Sequence, residues 1–399
     1  MDTVAMSAKV HGMDGTLVEA DWPPLEFAEV RALLARFPAC GDARKILSVS
    51  PRPFSAASVV ATENGRVFIK RHPRLVRDRE GLMEEHRFMK HLLAHGAPVP
   101  RLFADDRGET AIEIGGWTYE VHEAPEAEDL YGEVISWTPF LTTAHAWSAG
   151  HALARLHRAA QSFAAPRRQP RLLVAGFTIF ADQDPPAAMN RYFNERPALA
   201  GNADARRSAA EAAELLAPFH AQLVPLLPSL PSLWTHNDLH GSNLLWSDRS
   251  EQARAVKIID FGLADRTNAV HDLAQAIERS IVEWLALSTA PTDGLDVPVH
   301  LAHLHALLAG YESLCPLSNE EAAALVPMTA LCHAEFALTE ADYFLVALHS
   351  EEKARVAYDE YLVGHARWYR SRGGQAFLHD IEQWAAKRGR KNDFEKVES

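Results

Sequence analysis

Cysteine is scarce: three residues, Cys40, Cys315 and Cys332, are scattered over 399 positions. Their spacing excludes a disulfide framework and any C-x-x-C metal or redox site, which leaves free thiols in a reducing compartment. Long apolar runs are missing as well. No stretch of about 18 apolar residues occurs, and the opening MDTVAMSAKVHGMDG has no basic flank leading into an apolar segment. The expected location is therefore the cytoplasm, with no membrane partner. Basic residues are outnumbered, 40 Lys+Arg against 53 Asp+Glu, and the net charge of −13 repels nucleic-acid phosphates and anionic lipid surfaces. A cationic substrate suits that field better. Repeats and low-complexity tracts are absent. Apolar residues at 47% and charged residues at 23% are ordinary globular usage, so disorder is excluded and the length suggests about two to three folding units.

Residues 1–24 show no steady period and read as a flexible leader. Leu25 to Phe37 carries a helical stripe, after which the period changes to that of strands. Ile46 to Val49, Ser58 to Thr62 and Arg66 to Lys70 are β-branched runs, and Asn64-Gly65 supplies a hairpin turn. Glu80 to His95 is again helical and stops at Gly96 before Pro98 and Pro100. Thr110 to Ile114 and Trp117 to His122 form two more strands around Gly115-Gly116. These elements make a first lobe over 25–124. The acidic, Pro125-bearing stretch Glu123 to Asp129 is the linker candidate. A mostly helical lobe is expected over 125–386, with helices at Thr143 to Ala165 and Ala203 to Leu223 and one strand pair, Asn243 to Trp246 with Ala255 to Ile259. The alternating charges of 387–399 read as a frayed tail.

The densest chemistry lies in His236-Asn237-Asp238-Leu239-His240-Gly241-Ser242-Asn243, followed by Ile259-Asp260-Phe261-Gly262. Any one Asp or Asn here would serve as a cap or turn residue. Together they suit phosphoryl transfer, in which one carboxylate orients the attacking hydroxyl while a second carboxylate and an amide oxygen hold a metal against phosphates. Asp238 fits the first part, Asp260 and Asn243 the second.

The pattern H-x-D-x-x-x-x-N with I-D-F-G resembles the aminoglycoside phosphotransferase and choline kinase superfamily, the small-molecule branch of the protein-kinase-like fold. Gly150 to His157 is similar to that family's G-x-x-L-A-x-L-H helix, and Asp272-Leu273-Ala274 to its D-L-A. The resemblance spans roughly 45–370. It implies an α+β two-lobed fold with a small antiparallel sheet lobe and a larger helical lobe, ATP and Mg²⁺ as cofactors, and a hydroxyl-bearing small molecule as acceptor. Val67-Phe68-Ile69-Lys70 resembles the family's V-x-K, and Glu85 its helix Glu, so Lys70 is expected to meet the nucleotide and to pair with Glu85. Leu308 to Glu312 is similar to type II homoserine kinases, and Glu84 to Phe88 to bacterial stress response kinases.

Two departures stand out. The loop Ser50 to Ser58 has no glycine, so Ser55 and Ser58 hydroxyls and main-chain N–H groups are the candidates for phosphate contact. His240 stands where protein kinases carry Lys, either at the transferring phosphate or bracing the loop. Only nine residues separate Gly262 from Asp272, too few for a long activation segment. Asp272, Glu278, Glu283, Glu335, Glu340 and Asp342 are acidic candidates for an amine-bearing acceptor, with Glu335 and Asp342 sharing a helix face. His300, His303 and His305 lack carboxylate companions and are not expected to bind metal. A protein Ser/Thr kinase and a non-catalytic nucleotide-binding module are the competing readings.

Overall fold

The computed structural model describes residues 9–11, 17–289 and 297–397, so parts of the expected leader (1–8 and 12–16) and the last two residues of the expected tail lie outside the described residues. Two short strands, β1 (Lys9–His11) and β2 (Leu17–Glu19), pair ahead of helix α1 (Phe27–Leu34). The β-branched runs then form β3 (Ala43–Val49), β4 (Ala56–Thr62) and β5 (Gly65–Pro73). Gly65 turns the second hairpin at φ +129°, a conformation closed to other residues. After α2 (Arg79–Ala94), β6 (Ile112–Ile114) and β7 (Trp117–Glu123) complete an antiparallel sheet of order β3-β4-β5-β7-β6. One face of the sheet buries Val60, Val67, Ile69 and Val121 against Val30, Leu33 and Leu34 of α1. Strand alternation sends Lys70, His72, Glu120 and His122 to the other face, toward α2.

The linker runs beside the second lobe's hairpin, where Glu128 and Trp246 exchange backbone hydrogen bonds of 2.8 and 2.9 Å. Beyond it lie α3 (Thr143–Ala160), α4 (Pro185–Asn194), α5 (Pro197–Gly201) and α6 (Ala203–Leu223), then strands β8 (Ser232–Thr235), β9 (Leu244–Trp246), β10 (Ala255–Ile258) and β11 (Asp265–Asn268). Helices α7 (Ala269–Ile281), α8 (Leu301–Glu312), α9 (Asn319–Leu331), α10 (His333–Val346), α11 (Glu351–Arg355), α12 (His365–Arg370) and α13 (Arg372–Val397) finish the chain. The pairing of β8 with β11 adds to the one strand pair expected of this lobe. Both strands are only four residues long, below the length at which alternation is legible.

Helices α3 and α8 cross with their backbones nearly touching. A Cβ on Gly150 would lie 2.0 Å from the Leu307 carbonyl oxygen, and one on Gly310 1.9 Å from that of Trp147. Each resembled motif thus contributes the glycine its partner helix requires. The apolar stretch Asn319–Val346 is long enough to cross a membrane by composition, but 89% of its most apolar window is buried within the lobe, as a core helix requires. Two further differences concern the ends. Asp21 pairs with Lys353 at 2.7 Å and the Trp22 indole donates to the Tyr343 hydroxyl at 3.0 Å, so the end of the expected leader is tied down. The residues read as a tail continue α13 as far as Val397.

Candidate active site

The loop after β8 is shaped by buried hydrogen bonds. Asn237 adopts φ +63°, which Asn tolerates, and its amide oxygen accepts from Thr235 Oγ1 at 2.7 Å. Asp272, at the start of α7, accepts the backbone N–H groups of His236 (2.8 Å) and Asn237 (2.7 Å). Its carboxylate also lies 2.9 Å from His157 Nε2, whose other nitrogen meets the Tyr311 hydroxyl at 2.8 Å. The α3 motif, the loop and the Asp-Leu-Ala motif therefore meet in one buried network. Asp272 was expected among the acceptor ligands; it is fully buried and instead holds the loop.

The loop directs Asp238 into the cleft between the lobes. Asp238 Oδ2 accepts from Asn243 Nδ2 at 2.9 Å and Oδ1 from Arg279 Nη1 at 2.8 Å, with His240 Nε2 at 3.7 Å. Desolvation alone would raise the Asp238 pKa, but Arg279 and His240 outweigh it and hold the carboxylate below its ordinary range. For His240, burial and the Arg279 charge push the pKa down to about 4, leaving a neutral ring. Across the cleft Asp260, also left-handed at φ +63°, receives Lys70 Nζ at 2.9 Å. Its desolvation is outweighed by the lysine, and its pKa falls to about 2. Ser55, Lys70, Asp238, His240, Asn243 and Asp260 line this single cleft, together with Arg52 and Arg279.

Residues 53–317 match the model of the phosphotransferase enzyme family. The chain belongs to this family. No curated protein sequence matches it. Among solved structures, the phosphotransferase is similar to an aminoglycoside phosphotransferase from Alicyclobacillus acidocaldarius, at 17% identity and TM-score 0.51, over 92% of this chain and 98% of that one. It is also similar to a microcompartment-associated aminopropanol kinase (16%, TM-score 0.57, 87% and 99% covered). A third likeness is to an amicoumacin kinase solved in complex with AMP-PNP, Ca²⁺ and Ami (13%, TM-score 0.52, 84% and 92% covered). The family and the architecture together make this a kinase-like phosphotransferase with an antiparallel sheet lobe and a helical lobe.

Several expectations need correction. Glu85 does not pair with Lys70: its carboxylate lies 2.7 Å from Arg77 Nε and 2.9 Å from Arg168 Nη2. Those arginines also bind the Gly262 carbonyl, at 2.7 and 2.9 Å, so Glu85 braces the loop carrying Asp260. Ser58 lies inside β4, paired with Val49 and Ile69, fully buried and away from the cleft. Glu335 accepts the backbone N–H groups of Thr178 and Ile179, the latter at 2.7 Å. Asp342 faces a different cavity, lined by Arg74, Arg171 and Arg196. Their shared face of α10 is turned from the cleft, whereas Phe336 and Glu340, four residues apart, face it. Glu278 is buried against His365 Nδ1 at 2.7 Å, and Glu283 is the carboxylate companion that His300 was expected to lack, at 2.8 Å.

Residues unforeseen in the sequence complete the cleft. Arg52 donates to the carbonyls of Val134 and Tyr131, at 3.0 and 2.7 Å, fixing the glycine-free loop to the linker side. Phe54 takes φ +74° and packs edge-on against Tyr343, ring centres 4.9 Å apart. The Arg279 guanidinium lies over the rings of Trp137 (4.1 Å) and Phe336 (4.7 Å). Tyr361 joins this wall from a π-helical stretch, Val356–Gly364.

Proposed function

We propose that the chain transfers the γ-phosphoryl group of ATP to a hydroxyl of a small, amine-bearing molecule. The observation that carries the reading is the convergence of Lys70, Asp238, Asn243 and Asp260 on one cleft. The donors fit a hard cation: Asp260 offers carboxylate oxygens, and Asn243, whose NH₂ is committed to Asp238, offers its amide oxygen. Bound Mg²⁺ would supply charge neutralisation at the nucleotide phosphates. Lys70 adds a second positive charge there, Asp238 accepts the acceptor's O–H and aims its oxygen, and neutral His240 steadies the Asp238 carboxylate.

An amine on the acceptor is supported by the wall opposite Asp238. The rings of Trp137 and Phe336 already carry one cation, Arg279. Glu340 stands beside them, 6% exposed, and among the described residues its Oε2 has no hydrogen-bond partner. An ammonium group would satisfy that oxygen. An aminopropanol-like acceptor has this chemistry, and one of the similar structures is an aminopropanol kinase. The test is a mass-shift screen with MgATP against amino alcohols, aminoglycosides, neutral sugars and a mixed protein extract. A gain of one phosphate confined to amine-bearing alcohols is expected, and labelling confined to protein or to neutral sugars would sink the reading.

A further inference from the structure

Lys70 and Asp260 form an ion pair at 2.9 Å, yet the proposed reaction asks the lysine to meet phosphate and the carboxylate to meet a cation. Glu85 is held by two arginines and is not at hand to take the lysine over. Another carboxylate is. Glu120 on β7 stands directly opposite Lys70 on β5 in the antiparallel register, a placement that brings Cβ atoms to about 4.5–5.5 Å. Glu120 is 4% exposed and fixed from three sides by imidazole nitrogens. His72 Nε2 lies 3.0 Å from Oε1, while His86 Nε2 and His122 Nε2 lie 2.9 and 2.6 Å from Oε2. His86 is oriented in turn by Thr110 Oγ1, 2.9 Å from its Nδ1. Burial would raise the Glu120 pKa, but His122 and the other imidazoles overcome it and keep the group well below the usual carboxylate range. Burial likewise opposes the charge on Lys70, and of the carboxylates that restore it Asp260 comes first, Glu120 second and Glu85 last.

We propose that Glu120, not Glu85, is the positioning carboxylate of Lys70: when Asp260 turns to a cation, the ammonium is held between the nucleotide phosphates and Glu120. This rests on the phosphotransferase reading above. A carboxylate on the adjacent strand aims the lysine from within the sheet, and the three histidines, His86 of α2 among them, keep that carboxylate from following the ammonium into the cleft.

The test is a double-mutant cycle read by calorimetric MgATP binding and by kcat and KM for MgATP. Lys70→Met and Glu120→Gln are each expected to weaken MgATP on the order of tenfold, and Glu120→Gln to add less than about twofold in the Lys70→Met background. Glu85→Gln should combine with Lys70→Met additively. A merely structural role for Glu120 would persist in the Lys70→Met background and overturn the proposal. Should Glu120→Gln fail to fold, Glu120→Asp, which keeps the charge but withdraws it, runs the same cycle with the same criteria. Unchanged MgATP binding in Glu120→Gln beside a loss in Lys70→Met overturns the pairing alone; unchanged binding in Lys70→Met overturns the proposed contact of Lys70 with ATP as well. The ligand atoms of His86, Glu120 and His122 lie within 4.8 Å of one another. One equivalent of zinc retained by the purified protein and lost in His86→Asn would therefore also overturn the proposal, by giving Glu120 a metal to hold.

Discussion

Arg279 Nη1 lies 2.8 Å from Asp238 Oδ1, and the same guanidinium lies over the rings of Trp137 and Phe336. A carboxylate so paired is a weak base and a strong hydrogen-bond acceptor, suited to aiming a hydroxyl rather than stripping it early. Removing the guanidinium leaves the desolvation of Asp238 opposed only by the neighbouring histidines, His240 and His236, so its pKa must rise. Arg279→Gln is accordingly expected to move the acid limb of the kcat/KM profile to higher pH. A limb that stays in place would detach Arg279 from the titration of Asp238.

Asp238→Asn keeps the shape and the contact with Asn243 but removes the acceptor charge. Turnover should fall by about 10²–10⁴-fold, the usual worth of such a group, with the dissociation constant for MgATP little altered. Equal turnover in wild type and variant would take Asp238 out of the chemistry.

Asp260→Ala removes the carboxylate that faces Lys70 across the cleft. MgATP affinity should collapse, while ATP without divalent cation, which depends on Lys70, should bind about as before. Calorimetry with and without Mg²⁺ separates the two, and unchanged MgATP affinity would refute the metal assignment. Because the Asp260 pKa is about 2, its ionisation should not limit metal binding at any pH above about 4.

Much of this was legible in local sequence. The hairpin at Asn64-Gly65, the stop of α2 at Gly96 and the spacing of Asp238, Asn243 and Asp260 are all encoded within a few residues of where they act. The pairing of Lys70 was not. Glu85 lies on the helix where the family pattern puts the partner, but Arg77 and Arg168 reach it from residues with no motif to mark them. Glu120 sits opposite Lys70 only because β7, some fifty residues later, pairs with β5. The acceptor wall was hidden for a similar reason. Helical spacing grouped Glu335 with Asp342 correctly as one face of α10, but periodicity alone does not say which face meets the cleft.

Gly150→Ala tests the crossing of α3 and α8 separately from chemistry. Its Cβ would meet the Leu307 carbonyl oxygen at 2.0 Å, a backbone atom with no side-chain freedom to yield. Overpacking of this kind costs about 1–3 kcal/mol or more, so the urea midpoint should fall clearly. Because His157 lies on the same helix and reaches Asp272, turnover of the folded fraction should fall as well. A variant as stable as wild type would show that the helices part at no cost.

Glu340 offers a pH test that needs no knowledge of the acceptor. Its burial, aided by the neighbouring Asp238 and only partly offset by Arg279, pushes its pKa up to about 8 from an ordinary value of 4.5. The folded protein therefore holds a proton at Glu340 that the unfolded chain releases, and between those two values the folded state loses stability as pH rises. Glu340→Gln has nothing to release. Its stability relative to wild type should grow from pH 5 toward pH 8 and level off above, by as much as a few kcal/mol. Asp265 and Glu278, with pKa values raised to about 6 and about 7, slope the same way but are common to both proteins and cancel in the difference. Urea denaturation at intervals from pH 5 to pH 9 measures it. Parallel curves for the two proteins would mean that Glu340 is ionised in the folded state throughout, which would leave a standing negative charge beside Asp238 instead of a carboxyl that must give up its proton before it can pair with an incoming ammonium.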